Sequence, residues 1–150
     1  MRILTYKETC DKIYVGMHIF AYLVWEGNMQ DFIKVTKALS DETRLRILNV
    51  LLLRDCCVCE IMQALDISQS RASRNLGILQ DASFLKERRD GPWIVYSVNW
   101  ETANYYASSL TKLLRDSPLS NEILVKDKER LKHAQRTGPG CGLSSSSKNR

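Results

Sequence analysis

Ser68-Gln69-Ser70-Arg71-Ala72-Ser73-Arg74-Asn75-Leu76, with the turn Asp90-Gly91-Pro92 that follows it downstream, decides the fold. Ser68 is a good helix N-cap. Ala72, Leu76 and Leu79 fall within a narrow arc of the helix that Ser68 starts, so that arc faces a core. Ser70, Arg71, Ser73 and Arg74 then point outward or sideways from the first two turns, beside Gln69. Arginines and small polar residues at the start of a core-anchored helix suit insertion into a major groove. They equally suit a solvated helix face, and the next segment separates the two readings. Residues 85–89 and 93–98 are strand-like, and Asp-Gly between such runs is a strong hairpin signal. Pro92 lacks an N–H to donate and belongs at the turn or the edge. Arg88 and Arg89 lie toward the hairpin tip, placed to touch phosphates. Helix, turn, helix and an arginine-bearing hairpin make a winged helix-turn-helix, with double-stranded operator DNA as the expected partner.

Working outward, residues 31–39 place Phe32, Val35 and Leu39 on one helical face. Ser40 is the expected cap of a second helix, with Asp41 and Glu42 in its first turn. Leu45, Leu48 and Leu52, with Ile47 and Leu51, form its apolar stripe. A third helix is predicted over 57–65, burying Val58, Ile61 and Leu65, and Asp66-Ile67-Ser68 breaks it. A last helix over 101–115 carries Ala103, Tyr106, Leu110, Leu113 and Leu114. Its apolar face serves either the core or a second subunit, and helix-turn-helix proteins usually read two half-sites as dimers. The expected fold class is mainly α with a small β-hairpin, a winged helix-turn-helix assembled as a homodimer. The expected division is an N-terminal extension over 1–28, the winged domain over 29–118 and a basic flexible tail over 119–150.

Charge alone does not argue for nucleic acid. The net charge is +5, but residues 1–125 hold 15 basic and 15 acidic side chains, so the excess lies in residues 126–150. The apolar run 13–25 spans 13 residues and includes His18, short of the ~20 that cross a bilayer. No A-x-A cleavage site follows it, so no membrane role and a cytoplasmic location are expected.

The five cysteines are Cys10, Cys56, Cys57, Cys59 and Cys141. In a reducing compartment they read as free thiols, reactive groups or metal ligands. Cys56, Cys57 and Cys59 crowd the start of the third helix, where the helix N-terminus is expected to lower thiol pKa. Soft thiolates select thiophilic ions. Cysteines two apart on a regular helix point to nearly opposite sides, so gripping one ion is expected to require the first turn to unwind. Inert buried thiols are the bland alternative. His18 and His133 are isolated, and no zinc-type pairing of ligands is present. No Gly-rich nucleotide loop or acid–base set accompanies the thiols, so an enzyme is not expected.

Four motifs in order resemble the ArsR/SmtB metalloregulator family: residues 38–48, Cys57-Val58-Cys59-Glu60-Ile61, residues 68–76 and Asp90-Gly91-Pro92-Trp93-Ile94-Val95-Tyr96. The resemblance covers about residues 30–115. It implies a homodimeric winged helix that sits on an operator, needs no cofactor to bind DNA and is released by metal or metalloid. The arsenic-responsive branch carries ELCVCDL, matched here by residues 55–61 with Cys57 and Cys59 as its two cysteines. As(III) or Sb(III) is the implied inducer of a metalloid-resistance operon. Met62 stands where the branch has a third cysteine, and Cys56 is the candidate for the missing sulfur. The cadmium/lead branch pairs the same Cys-Val-Cys with a cysteine from an N-terminal extension, and Cys10 lies in one. The last-helix histidines of zinc, cobalt and nickel sensors are absent from 101–115, Asn75 replaces a frequent recognition-helix histidine, and Pro92 stands where a basic wing residue is common. Residues 1–28 have no counterpart in the arsenical branch, whose members begin near Met29, so a translation start at Met29 is one expectation. A thiol-redox sensor using Cys57 and Cys59 is the rival within the regulator class.

Overall fold

A computed structural model describes residues 28–137 of the chain. The expectations for residues 1–27, with Cys10 and His18, and for Cys141 lie outside the described residues. Helix α1 (Met29–Leu39) is capped by Asn28, whose side chain accepts from the Gln30 N–H. Helix α2 (Glu42–Leu53) starts one residue later than the sequence suggests, because Asp41 rather than Ser40 caps it by accepting from the Arg44 N–H at 3.0 Å. Ser40 instead closes α1, its hydroxyl donating to the Lys37 carbonyl at 2.8 Å.

A two-residue strand β1 (Cys56–Cys57) precedes helix α3 (Val58–Leu65). Asp66, in the left-handed conformation at φ 55°, ends α3, and Ser68 caps helix α4 (Gln69–Asp81). Strands β2 (Leu85–Asp90) and β3 (Trp93–Val98) form the hairpin, closed by the Asp90–Trp93 pair around Gly91 and Pro92. Gly91 sits at φ 61°, which a side chain at this turn would strain. β1 adds to the far edge of β3, so the wing is a three-stranded antiparallel sheet in the order β1-β3-β2.

Helix α5 (Tyr105–Asp116) begins later than expected because Asn104 caps it, accepting from the Ala107 N–H at 3.1 Å. Phe84, Ile47, Leu48, Ile61, Leu65, Leu76 and Leu79 are fully buried and join α2, α3, α4 and the base of the hairpin in one core. Ala72, Leu76 and Leu79 anchor α4 on the face that their spacing marks. The fold is therefore mostly helical with a small antiparallel wing.

The C-terminal part departs from the flexible tail expected over 119–150. Residues Glu122–His133 form helix α6, packed on α3 and α2. Leu124 and Leu131 are buried on its inner face, with Asp127 between them. The Arg46 guanidinium donates to both Asp127 carboxylate oxygens at 2.8 Å and to the Leu65 carbonyl at 2.9 Å. That bidentate pair turns a buried carboxylate into an anchor. Replacing Asp127 by alanine leaves the mostly buried Arg46 without its acid and is expected to cost about 3 kcal/mol. Urea denaturation of D127A measures it, and an unchanged midpoint would refute the anchoring role.

Candidate functional site

The candidate nucleic-acid face lies on α4 and the hairpin. Ser70, Arg71, Ser73 and Arg74 are exposed on the first two turns of α4, and Gln69 is half-buried beside them. Arg71 is tied back to α2, its guanidinium donating to the Thr43 hydroxyl at 2.7 Å. Arg74 makes no ion pair among the described residues, which leaves its charge available at the surface. Arg88 and Arg89 are exposed on β2, but Arg88 already faces Asp55 at 3.6 Å and Asp90 at 3.7 Å, and Arg89 donates to the Gly91 carbonyl. Four arginines thus lie on the α4 start and the wing. The two wing arginines carry local partners that a phosphate would have to displace.

Behind α4 stands a residue that no local sequence signal marks. Arg44 donates to the Ala38 and Lys37 carbonyls at the end of α1 and reaches the Asn75 side-chain oxygen at 3.5 Å. Asn75 is buried and donates to the Arg71 carbonyl at 2.8 Å. Arg44 and Asn75 therefore fix the recognition helix from its inner side. Asn75 is structural here, at the position where the resemblance draws attention to a surface histidine.

The thiols are arranged differently from the sequence expectation. Cys57 is the N-cap of α3, in extended conformation at φ −83° and ψ 169°, and Cys59 is in the first turn. Because Cys57 stands outside the helix, its sulfur is not on the opposite side from Cys59; the two Sγ atoms are 3.0 Å apart. No unwinding is needed to bring them together, which corrects the expectation of a distorted first turn. Cys56 points elsewhere. Adjacent strand residues face opposite sides of a sheet, and Cys56 pairs with Tyr96 while Cys57 pairs with Val95. Cys56 and Tyr96 pack with the main core, and the Cys56 thiol donates to the Arg54 carbonyl at 3.4 Å. Among the described residues no three His, Cys, Asp or Glu side chains converge as a metal site, so Cys56 is not brought to the pair.

A lowered thiol pKa is also not found. Burial, joined by the hydrogen bond to Cys59, pushes the Cys57 thiol up to about 12, outweighing the helix N-terminus. Burial raises Cys56 to about 12 as well. Both are neutral thiols at neutral pH, so a bound ion must displace their protons.

Glu60 organises this corner. Its Oε2 accepts the Cys57 N–H at 2.8 Å and its Oε1 accepts from Arg54 at 2.7 Å. Burial works against its charge, yet those donors hold its pKa below the ordinary carboxylate value. Arg136, beyond α6, pairs with Glu60 at 3.7 Å and with Asp90 at 2.8 Å, and lies 5.7 Å over the Trp93 ring. Glu60 is detectable in sequence as the third residue after a helix cap, the reach-back position of a capping box. Nothing local marks Arg136.

Comparison with known proteins agrees with this geometry. The family described as "Bacterial regulatory protein, arsR family" matches residues 41–87, which run from α2 through the recognition helix into β2. The arsenic resistance transcriptional regulator ArsR2 of Pseudomonas putida is 42% identical over 82 residues, covering 54% of this chain and 71% of that protein. A cadmium resistance regulatory protein CadC homolog of Staphylococcus aureus is 39% identical over 75 residues, covering 49% of this chain and 62% of that protein. The homodimeric winged helix-turn-helix DNA-binding domain Mb0332 of Mycobacterium bovis superposes with a TM-score of 0.50 at 27% identity, over 61% of this chain and 84% of that one. The family match falls on the helix-turn-helix and the start of the wing, and the chain belongs to the arsR family of bacterial regulatory proteins, DNA-binding transcriptional regulators rather than enzymes.

Proposed function

We propose that the protein is a homodimeric repressor of a metalloid-resistance operon, released from its operator when As(III) or Sb(III) is captured by Cys57 and Cys59. The observation that carries this reading is the 3.0 Å approach of the two sulfurs on α3, the helix that immediately precedes the recognition helix. Arsenic resistance regulators among the relatives support the inducer class. Cys56 is left out of the ligand set, because using its sulfur would mean turning a core residue through the sheet. On the DNA, Gln69, Ser70, Arg71, Ser73 and Arg74 read or anchor the major groove, and Arg88 and Arg89 hold flanking phosphates.

Dimerisation is supported by apolar surface that a monomer leaves open. Met29 and Phe32 on α1 are 68% and 47% exposed, and Tyr105 and Leu113 on α5 are 49% and 58% exposed. Phe32 packs edge-on against Tyr106, so the two helices present one continuous face to a second copy. Ion capture acts on α3, which shares a core with α4 through Ile61, Leu65, Ala72 and Leu76. A coupling of about 1–3 kcal/mol weakens operator binding roughly 5–150-fold, and DNA weakens ion binding by the same factor.

The same sulfur contact favours a second reading, in which an oxidant such as peroxide takes two electrons from the dithiol and its two protons leave. A cadmium resistance regulatory protein among the relatives supports Cd(II) or Pb(II) as the alternative ion. Titrating the operator-bound, reduced protein with arsenite, cadmium or peroxide separates the three readings. Release by arsenite that disappears in Cys57→Ser and in Cys59→Ser is expected; release by peroxide alone would establish the redox sensor. Arg74→Ala is expected to weaken operator binding by about 1–3 kcal/mol with arsenite affinity unchanged, and a normal footprint would remove Arg74 from the interface. A raised pKa keeps the thiol protonated at neutral pH, so thiolate is gained only as pH climbs toward about 12. Iodoacetamide labelling of Cys57 in the ion-free protein should therefore accelerate about tenfold per pH unit from neutral pH upward, and an early plateau would contradict it.

A further inference from the structure

We propose that Arg136 is a positioning residue that carries the state of the Cys57–Cys59 pair to the wing, by keeping Asp90 from holding Arg88. The inference rests on the capture reading above and names the route from the bound ion to the DNA face. Three segments distant in sequence meet at this side chain. Its Nε lies 3.7 Å from Glu60 Oε2, the oxygen that accepts the Cys57 N–H. Its Nη1 donates to Asp90 Oδ2 at 2.8 Å. Its guanidinium also lies 5.7 Å over the ring of Trp93, the residue paired with Asp90 across the turn. The base of the side chain is fixed as well. The Gln63 side-chain amide donates to the Cys59 carbonyl at 3.0 Å and to the Gln135 carbonyl at 2.7 Å, and accepts the Gln135 N–H at 3.1 Å. Arg136 is therefore tethered to α3 beside Cys59 and ends on the turn of the hairpin.

At the wing, two arginines compete for one oxygen. Arg88 Nη1 lies 3.7 Å from the same Asp90 Oδ2, and its Nη2 lies 3.6 Å from Asp55. Both distances exceed hydrogen-bonding range. The hydrogen bond from Arg136 is what chiefly holds the Asp90 carboxyl below its ordinary range. While Arg136 occupies Asp90, the hold on Arg88 is loose, and Arg88 can turn to a phosphate. Once Arg136 withdraws, Asp90 is left to Arg88 alone. Capture supplies the withdrawal. Arsenous acid, As(OH)₃, exchanges two As–O bonds for two As–S bonds, and each thiol proton leaves with a hydroxyl as water. Two bonds to one ion then replace the 3.0 Å contact between the thiols. Cys57 cannot shift without its N–H pulling on Glu60, which is buried, with Arg136 at its solvent edge. The shift passes to Arg136 and so to Asp90.

Operator affinity of the full-length, reduced protein, measured against salt with and without arsenite, tests the assignment. Each phosphate contact steepens the dependence of log affinity on log salt by about 0.9. Ion-free Arg136→Ala is expected to lose about 0.9 of that slope per protomer, because Asp90 then withholds Arg88. Its release by arsenite should shrink to the square root of the natural factor or less, about 10-fold where the natural protein shows about 100-fold. Adding Asp90→Asn, which suits the same turn, should restore the slope by freeing Arg88 without restoring the arsenite response. Arg130→Ala, which removes a pair with Asp66 at 3.8 Å from the preceding helix, should keep the natural response. The proposal is overturned if Arg136→Ala keeps the natural response or the natural slope. It is equally overturned if the double variant fails to regain the slope or recovers the response, or if Arg130→Ala loses the response as well. Absence of arsenite release in the natural protein would overturn the capture reading and the reporting role with it. The ion-free slopes, measured without any inducer, tell that failure from a failure of the Arg136–Asp90–Arg88 link.

Discussion

The Glu60 carboxylate receives the Cys57 N–H on one oxygen and the Arg54 guanidinium on the other, and the thiol site depends on that arrangement. A helix leaves its first N–H groups without partners, and here an acid one turn in reaches back to satisfy the cap. Cys57 is thereby held in extended conformation, so a single residue serves as the end of β1 and the cap of α3. Were Cys57 inside the helix, its sulfur would diverge from that of Cys59. The same carboxylate draws in Arg136, and with it the chain that leaves α6 and the turn of the wing.

Burial sets the character of the Cys57 sulfur. A helix N-terminus stabilises a thiolate only where water or a cation shares the charge. Cys57 is buried where β1 meets α3, and desolvation dominates. A neutral Cys57 thiol resists casual alkylation, while an ion that forms strong bonds to sulfur can still displace its proton. In the proposed capture, such a site would select by bond strength rather than by charge attraction.

The candidate DNA face is built differently. Its arginines lie on the surface of α4 and β2, but Arg44 and Asn75 behind α4 hold the helix to the end of α1. The exposed side chains are therefore carried on a helix fixed from within.

What the sequence determined by itself is local. The apolar spacing of Ala72, Leu76 and Leu79, the Ser68 cap and the Asp-Gly turn are each complete within a few residues, so α4 and the hairpin are legible in the residues alone. The exposed arginines follow from the same periodicity. Choosing Asp41 over Ser40 as a cap is beyond it, since both residues are competent and only the geometry of the α1–α2 corner decides. Helix α6 is hidden because its inner face carries Asp127 between Leu124 and Leu131, and such a stripe reads as solvated until Arg46, 81 residues away, is seen to neutralise it. The thiol pair, the exclusion of Cys56 and the role of Arg136 depend on β1 docking against β3 and on α6 returning to α3. Those are contacts between segments distant in sequence, and only tertiary packing decides which side of a strand is core and which side is site.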